Sequence, residues 1–310
     1  MGMKKKKPLV AISGCLVGEA IRYDGQHKRH PHVTHELSKL FEFHSFCPEV
    51  AMGLGIPRPT IKLMDKDGKT HLVDSKDSSI DHTKLAHKTF KTHTKGIEKA
   101  HGIILTKNSP SCGLDPVKVY GEKSGIPFRK TKGLWAEHLC QEFPLIPKID
   151  SGRLYDDHLR DTFRTQVLVF QEFQDLKKEA KELIKFHEVY KYYIFQYGAA
   201  PLKALGRICA GVSKSNLKEK FSEYEEYLFG TIFQKSITPK NRTNVAEHIA
   251  GYFKEELEGG DKKYLHDNIK AFHTGKLSFE SLIVLMGFLT KTYKQKYLKD
   301  QKLFSLYSKH

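Results

Sequence analysis

The sequence predicts an α/β protein with two domains: a three-layer, Rossmann-like α/β domain over residues 1–165 and an all-α helical domain over residues 166–310. In the first half, short apolar runs alternate with loops and helical stretches, a pattern typical of a mainly parallel sheet covered by helices. From about Leu168 the chain becomes rich in Lys and Glu, poor in Pro and helically periodic. A chain of 310 residues is long enough for two such domains.

The strand candidates of the first domain are three short apolar runs, at residues 8–12, 41–46 and 102–106. Between the second and third runs, Asp67 and Gly68 separate residues 61–64 from residues 70–73, which predicts a β-hairpin. Helices are predicted over residues 81–101 and 135–140. The proline-punctuated stretch 143–147 is expected to lie near the domain boundary.

The second half shows six stretches of helical periodicity, at residues 170–197, 203–212, 217–231, 243–259, 262–274 and 279–300. Gly198, Gly211 and the pair Gly259-Gly260 are natural stops between them. These stretches predict a helical bundle.

The chain is strongly basic, with 52 Lys and Arg against 36 Asp and Glu and a formal net charge of +16. Residues 1–170 contribute 28 basic and 19 acidic residues, a net of +9, and residues 171–310 contribute 24 and 17, a net of +7. The excess is therefore spread over both halves. It indicates either a polyanionic partner such as nucleic acid or a merely cationic surface.

Apolar runs in the sequence are too short to cross a membrane, which takes roughly 20 residues. The basic start, residues 1–7, is followed by only a short apolar stretch and lacks the pattern of a signal peptide. We therefore expect a cytoplasmic protein without membrane association. In that reducing compartment the five cysteines are expected to be thiols or metal ligands rather than disulfides.

Three cysteines each follow one of the predicted strands: Cys15, Cys47 and Cys112. Loops at the carboxyl ends of parallel strands share one edge of the sheet, so we expect these thiols to converge there. Three thiolates leave a zinc ion or a four-iron cluster one ligand short, and a substrate atom can take the open position. The alternative is three unrelated buried cysteines. Cys140 and Cys209 fit helix faces, where a core role is expected.

The motifs around these cysteines resemble the thiouracil desulfidase family over roughly residues 8–145. The matching segments are Ile12-Ser13-Gly14-Cys15-Leu16-Val17-Gly18-Glu19 with Arg22-Tyr23-Asp24-Gly25, Cys47-Pro48-Glu49-Val50 with Gly53-Leu54-Gly55 and Pro57-Arg58-Pro59, and Ser109-Pro110-Ser111-Cys112-Gly113. The resemblance implies that Cys15, Cys47 and Cys112 bind a [4Fe–4S] cluster. It also implies that the one iron without a cysteine ligand takes the sulfur of a thiolated pyrimidine.

The second half is similar to the helical domain often fused to these desulfidases, as in the bacterial enzymes that convert 4-thiouridine in tRNA to uridine. The matching segments are Gly152-Arg153-Leu154-Tyr155-Asp156, Leu159-Arg160, Phe186-His187, Lys191, Ala204-Leu205-Gly206-Arg207 and Asn244-Val245. The resemblance implies an RNA-binding role for this part and a tRNA partner. His187, Lys191 and Arg207 are the candidate RNA contacts, and Tyr190, Tyr193 and Tyr197 either join that surface or pack inside.

Carried onto this sequence, the implied reaction is hydrolysis of a carbon–sulfur bond without net electron transfer. Water attacks the thiocarbonyl carbon, and sulfur leaves as hydrosulfide. Glu49, two residues after Cys47, is the candidate base. Ser109 and Ser111 either hydrogen-bond the base or the sulfide, or cap turns. Arg22 and Arg58 either hold a phosphate or the pyrimidine carbonyl, or form structural pairs.

Three other functions remain open on the sequence. The chain is a desulfidase of free thiouracil or another small thioamide, a non-catalytic RNA-binding protein with an iron–sulfur cluster, or a zinc hydrolase on the same three thiolates. The histidine-rich run His27, His30, His32, His35 and His44 has irregular spacing and contains Lys28 and Arg29, so a basic loop is expected there rather than a metal site.

Overall fold

The computed structural model describes residues 6–114 and 116–307. The chain divides into two compact units, Met1–Gln171 and Glu172–His310. The domain boundary expected at residue 165 falls within one continuous helix, Asp157–Gln174, which also contains the division between the two units.

The described part of the first unit folds into strands β1 (Leu9–Ser13), β2 (Glu42–Phe46), β3 (Ile61–Lys66), β4 (Lys69–Asp74), β5 (Gly102–Leu105), β6 (Val117–Gly121), β7 (Pro127–Thr131) and β8 (Lys148–Asp150). Its helices are α1 (Ser38–Leu40), α2 (Pro48–Ala51), α3 (Thr83–His93), α4 (Leu134–Glu142) and α5 (Asp157–Gln174), whose last residues belong to the second unit. Short turns of other helix types lie at Gly14–Leu16 and His32–Leu37.

A parallel four-stranded sheet with the order β2-β1-β5-β8 forms the centre of this unit. The three strands expected from the apolar runs are β2, β1 and β5, and the predicted α/β class is confirmed. The fourth strand, β8, was not predicted, because it has three residues and follows the prolines taken as a boundary signal. The helix expected over residues 81–101 is shorter, ending as α3 at His93 and continuing as a single turn at Thr94–Gly96.

A second sheet has the order β4-β3-β6-β7. The predicted hairpin is β3–β4, paired antiparallel around Asp67 and Gly68. A second antiparallel hairpin, β6–β7, joins it through the parallel pair β3–β6. This second hairpin follows directly on the loop that carries Cys112.

Apolar side chains on β1 and β5 pack against α5. Val10, Ile12 and Ile104 are fully buried in one cluster with Phe163 and Val167 of the helix. A Cβ at Gly102 would lie 2.5 Å from Cγ2 of Val167, so only glycine lets α5 approach the sheet this closely. Each large side chain buried in this way contributes roughly 1.5–3 kcal/mol. This packing fixes the sheet edge at which the strand-end loops emerge.

The second unit is helical, as predicted. Its described helices are α6 (Ala180–Val189), α7 (Lys191–Phe195), α8 (Ala199–Ala210), α9 (Leu217–Glu225), α10 (Pro239–Ala250), α11 (Gly259–His273), α12 (Phe279–Thr292) and α13 (Lys302–Tyr307). The single helix expected over 170–197 is divided among the end of α5, α6 and α7, and Gly198, at φ 117°, directly precedes α8. In residues 6–114 and 116–307, no helix combines the length and apolarity that a membrane crossing requires.

Aromatic side chains fill the core of the second unit. Tyr190, Tyr193 and Tyr197 are 1%, 0% and 6% exposed, and Tyr193 and Tyr197 both contact the ring of Phe233. The interpretation of these tyrosines as part of an RNA-binding surface is therefore wrong, and the packed alternative holds. Only Tyr193 lies in α7, whereas Tyr190 directly precedes that helix and Tyr197 follows it, and all three pack inside the unit.

Candidate metal centre

Three strand-end loops of the parallel sheet bring Cys15, Cys47 and Cys112 to the wall of one pocket of about 300 Å³. Cys15 lies in the helical turn directly after β1, and Cys47 lies between β2 and α2. Cys112 lies in the loop after β5. The convergence follows from topology, since parallel neighbours deliver their carboxyl ends to the same edge. The remaining two cysteines, Cys140 and Cys209, are not among the residues that line this pocket.

Hydrogen bonds tie the cysteine loops to one another. The Cys15 Sγ and Thr106 Oγ1 atoms are 3.1 Å apart, and the Thr106 backbone N–H donates to Ser13 Oγ at 3.2 Å. The Ser13 hydroxyl also lies near the Cys112 thiol, whose pKa it lowers. Two hydroxyls at the ends of β1 and β5 therefore connect two of the three cysteines. Sequence reasoning missed this role for Ser13 and Thr106, although their positions at strand ends were visible.

Burial raises the pKa of all three pocket thiols. The effect is greatest for Cys112, whose pKa is raised further by the nearby Cys47, Glu49 and Cys15. The repulsion among these groups shows that the three sulfurs share one electrostatic environment. Placing three thiolates here needs a compensating positive charge, which a bound metal centre provides.

Two glycines allow the cysteine loops to turn tightly. A Cβ at Gly14 would lie 2.2 Å from Glu19 Oε2 and 2.8 Å from Ile21 Cδ1. A Cβ at Gly113 would lie 2.3 Å from Val117 Cγ2 and 2.7 Å from the Ser109 carbonyl oxygen. Each of these two glycines directly neighbours a cysteine, so the loop shape that presents the thiol depends on it.

The donor set fits an iron–sulfur cluster. Cysteine thiolates are the usual ligands of such clusters, and each binds a different iron, so the sulfurs need not meet at one point. Within residues 6–114 and 116–307, no three His, Cys, Asp or Glu side chains are arranged around a single metal ion. Three cysteines on one pocket wall provide the ligand type that such a cluster uses.

Glu49 lies on the same pocket wall and is held by Arg58. Arg58 donates to Glu49 Oε2 from Nε at 2.9 Å and from Nη2 at 2.8 Å. Its Nη1 donates to the carbonyls of Ile21 and Gly55, at 2.9 and 3.1 Å. Its Nη2 lies 4.0 Å from the sulfur of Cys47. Arg58 is thus a buried residue that pairs with Glu49 and with two loop carbonyls, and its contact with a phosphate or the pyrimidine carbonyl stays a prediction.

Ser109 and Ser111 occupy different positions. The Ser109 hydroxyl lines the pocket and accepts hydrogen bonds from the backbone N–H groups of Ser111 and Cys112, at 3.2 and 3.0 Å. Through these bonds the Ser109 hydroxyl caps the turn, one of the two roles expected for it from the sequence. Ser111 is fully buried and does not line the pocket, and its hydroxyl has no partner within the described chain. Its carbonyl accepts from Trp135 at the start of α4.

Three cationic side chains line the rest of the pocket: Arg22, Lys28 and Lys107. Arg22 forms an ion pair with Asp24 at 3.2 Å and stacks over Tyr23. The backbone N–H of Lys28 donates to the Cys15 carbonyl at 2.9 Å, which fixes the basic loop beside the cysteine. Of these three residues, only Arg22 was predicted from the sequence. A single lysine outside a recognisable motif does not indicate that it lines a pocket.

The three candidate RNA contacts of the second unit have different surroundings. His187 is half-buried, with Nδ1 3.1 Å from the Tyr224 hydroxyl. Lys191 stacks against the rings of Tyr192 and Tyr297. Arg207 is exposed and lines a shallow groove on α8 and α9. A role in RNA binding stays a prediction for these residues.

Comparison with known proteins gives matches over both halves. Residues 10–151 match the family model described as 2-thiouracil desulfurase, and residues 191–308 match the model of a protein family of unknown function, DUF1722. The uncharacterized protein YbgA of Escherichia coli strain K12 is 20% identical over 151 residues, which are 47% of this chain and 89% of that protein.

A solved structure, that of a [4Fe–4S]-dependent thiouracil desulfidase named TudS, is 25% identical with a TM-score of 0.37. The match covers 49% of this chain and 95% of that one. The desulfurase match includes the three pocket cysteines, Glu49 and Arg58. The chain therefore joins a domain of the 2-thiouracil desulfurase family to a C-terminal DUF1722 domain.

Proposed function

We propose that this protein is a [4Fe–4S]-dependent desulfidase that removes sulfur from 4-thiouridine in tRNA, giving uridine and hydrogen sulfide. The observation that carries the proposal is the common pocket of Cys15, Cys47, Cys112 and Glu49 within the desulfurase domain. The three cysteines would hold the cluster. Once bound, the cluster supplies a Lewis-acidic iron with affinity for sulfur.

The reaction balances without an oxidant or reductant. Water forms a carbon–oxygen bond at the thiocarbonyl carbon, the carbon–sulfur bond breaks, and sulfur leaves as hydrosulfide. The proton released by the attacking water must be accepted by a base. Glu49 is the carboxylate on the pocket wall, and general-base catalysis of this kind contributes typically 10²–10⁴-fold.

The ion pair with Arg58 prepares Glu49 for that role. Both bonds from Arg58 reach one carboxylate oxygen, Oε2, while Oε1 accepts no hydrogen bond from the described residues. Oε1 is therefore the oxygen that takes the proton. The same pair fixes the orientation of the carboxylate, so less conformational entropy is lost when the reactive geometry forms. Thr106 and Ser13 hold the Cys15 and Cys112 loops in place.

Two substrates are consistent with this chemistry. The description of the matching family favours a free thiolated pyrimidine. The net charge of +16 and the fused DUF1722 domain favour a polyanion, and we therefore propose thiolated tRNA. Tight, salt-sensitive binding of tRNA separates the two, since binding of a small uncharged base is nearly independent of salt.

The test is turnover under anaerobic conditions. Protein reconstituted with iron and sulfide is incubated with 4-thiouridine-containing tRNA, and loss of the thiocarbonyl absorbance is followed. Wild type is expected to turn over, and Cys112→Ser is expected to lose both the brown cluster colour and activity. Cys209→Ser serves as the matched control, because that thiol is buried in the second unit with a pKa raised by burial to about 12.

Two results would overturn the proposal. A colourless, zinc-loaded sample with full activity would remove the cluster from the chemistry. Turnover of free 4-thiouracil with no turnover of tRNA would reject the RNA substrate and leave the small-molecule desulfidase.

A further inference from the structure

A row of lysines lies on one face of the second sheet, on neighbouring strands. Lys118 of β6 pairs directly with Lys130 of β7. Leu63 pairs with Val119 in the parallel β3–β6 ladder, so Lys62 of β3 lies one position earlier, beside Lys118. Residues paired in this way point to the same face of a sheet.

The alternation of the strands shows that this face of β6 meets solvent. Val117 and Val119 are 7% and 0% exposed, whereas Lys118 between them is exposed. Lys130 is exposed as well. The ring of Tyr120, two residues after Lys118, is half-buried, and the Lys62 ammonium lies 5.9 Å from its centroid. The face therefore presents ammonium groups beside one aromatic ring.

Like charges directly opposite each other destabilise a sheet. Within residues 6–114 and 116–307, no carboxylate pairs with Lys118 or Lys130. The nearest acidic strand residue, Asp65, is held by Arg129 at 2.8 Å, and Arg129 lies on the face of Val119. Residues 117–132 contain five basic residues and one acidic residue, a net of +4. An unpaired pair of opposed lysines destabilises the sheet, and binding of an anionic ligand would remove this repulsion. The arrangement therefore indicates an anionic ligand.

The position of the row relative to the pocket suggests which anion. Thr60 and Ile61, which line the pocket, directly precede Lys62. Cys112, also on the pocket wall, lies six residues before Lys118. Strand β3 therefore starts at the pocket, β6 starts five residues after Cys112, and Lys62 and Lys118 are each the second residue of their strand.

We propose that this face, defined by Lys62, Lys118, Tyr120 and Lys130, binds the backbone of an RNA strand whose thiolated base enters the pocket. The lysines would contact phosphates, and Tyr120 would contact a base or ribose next to the target. Basic grooves with interleaved aromatic rings bind single strands in this way without sequence preference. The proposal deepens the proposed function and rests on it for the identity of the RNA as substrate.

The test is binding of a short fluorescein-labelled oligouridylate to the full chain, followed by fluorescence anisotropy at several salt concentrations. Two lost phosphate contacts should lower the slope of log affinity against log salt by about 1.4, at about 0.7 per contact for a single strand. Lys118→Gln/Lys130→Gln is expected to show this change and at least about tenfold weaker binding at low salt. Tyr120→Leu is expected to bind about tenfold more weakly.

A matched control removes the same charge elsewhere in the first unit. Lys95 and Lys99 are exposed and lie outside this sheet, so Lys95→Gln/Lys99→Gln should bind like wild type. A folding check accompanies both: the melting temperature of Lys118→Gln/Lys130→Gln should equal or exceed that of wild type, because the repulsion between the two lysines is removed.

Three results would overturn the proposal: unchanged oligouridylate binding by Lys118→Gln/Lys130→Gln, an equal loss in the Lys95→Gln/Lys99→Gln control, or displacement of the RNA by polyglutamate as readily as by unlabelled oligouridylate. The last would make the face a general site for acidic chains. Turnover of 4-thiouridine-containing tRNA and of free 4-thiouracil by reconstituted wild type, measured separately, tests the chemistry. Absence of turnover with both substrates would reject the desulfidase while leaving the RNA-binding result intact.

Discussion

Arg58 contacts a single oxygen of Glu49, Oε2, through Nε at 2.9 Å and through Nη2 at 2.8 Å. The Arg58 side chain is only 3% exposed. Its third nitrogen binds the carbonyls of Ile21 and Gly55. One guanidinium thus fixes both the candidate base and the loop on which it stands. Lysine has no planar group with several N–H donors and cannot reproduce this set of contacts.

Glu49→Gln tests the base directly. Glutamine keeps the size and an acceptor oxygen for Arg58 but cannot take a proton, so turnover of 4-thiouridine should fall by about 10²–10⁴. Cluster absorbance should persist, because the cysteines are untouched. Glu42→Gln, an exposed carboxylate on β2, is the control and should retain full activity. Unchanged turnover in Glu49→Gln would remove this residue from the mechanism.

Arg58→Met leaves the Glu49 carboxylate without its partner. Removing one member of a buried ion pair costs about 3–5 kcal/mol, so the free energy of unfolding should fall by about 3 kcal/mol. Urea denaturation followed by circular dichroism measures the change. Arg58→Lys should recover only part of it, since an ammonium cannot bind Glu49 and both carbonyls together. Full recovery by lysine would show that charge alone matters here.

Gly113→Ala tests the loop of Cys112. The added methyl would meet Val117 Cγ2 at 2.3 Å and the Ser109 carbonyl oxygen at 2.7 Å. The loop must shift, at a cost of roughly 1–3 kcal/mol, and iron bound per chain after reconstitution should decrease. Gly260→Ala in α11 is the control, because its Cβ meets nothing within 4 Å. That variant should keep its iron and gain about 0.5–1 kcal/mol of stability. Wild-type iron content in Gly113→Ala would contradict the prediction.

Much of the first unit could be predicted from apolar runs alone, since β1 and β5 are almost wholly buried and β2 carries the apolar residues Phe43 and Phe46. The hairpin β6–β7 was not predicted, because each of its strands has only five residues and Pro127 disfavours a strand. Strand β8 has three residues, too few to show periodicity. The strands that were not predicted, β6, β7 and β8, are therefore short or contain proline.

The position of the three cysteines in one pocket could be expected from topology, because strand ends converge. The partner of Glu49 could not. Arg58 lies nine residues further along, and only the fold of the intervening loop brings the two side chains together. Aromatic residues in the second unit were equally ambiguous. Tyr193 and Tyr197 pack inside because neighbouring helices cover them, which no single helix can reveal.

Asp81 gives the first unit a defined response to acid. Burial raises the pKa of this carboxyl, but hydrogen bonds from Thr83 and His71 outweigh that effect and lower the pKa from 3.8 to about 2. A carboxyl with a lowered pKa in the folded state stabilises the fold above the unfolded value of 3.8, and the contribution is lost as pH falls toward 2.

The side chain of Asp81 is 30% exposed, so solvent screening reduces its contribution to about 1 kcal/mol. Asp81→Asn should therefore be less stable than wild type by about 1 kcal/mol at pH 6, and the difference should vanish near pH 2. Urea denaturation at both pH values measures it. Asp67→Asn, in the exposed turn between β3 and β4, is the control and should show no such pH dependence. A constant difference between wild type and Asp81→Asn would assign the effect to packing.

Arg242 organises the core of the second unit in the way that Arg58 organises the pocket. It is 5% exposed, and it donates from Nε to Gln196 Oε1 and from Nη2 to the Tyr307 hydroxyl, both at 2.9 Å. Its guanidinium lies 4.5 Å from the ring centroid of Phe279. One side chain therefore connects α10 with α12, α13 and the turn after α7.

Arg242→Met should lower the free energy of unfolding by about 3 kcal/mol, because Gln196 and Tyr307 would keep buried polar atoms with fewer partners. Lys240→Met, on the exposed side of the same helix, should change it by less than about 0.5 kcal/mol. Both are measured by urea denaturation of the full chain. A loss below about 1 kcal/mol in Arg242→Met would show that methionine packs as well as the charged network, as happens when buried ion pairs are replaced by apolar residues of similar volume.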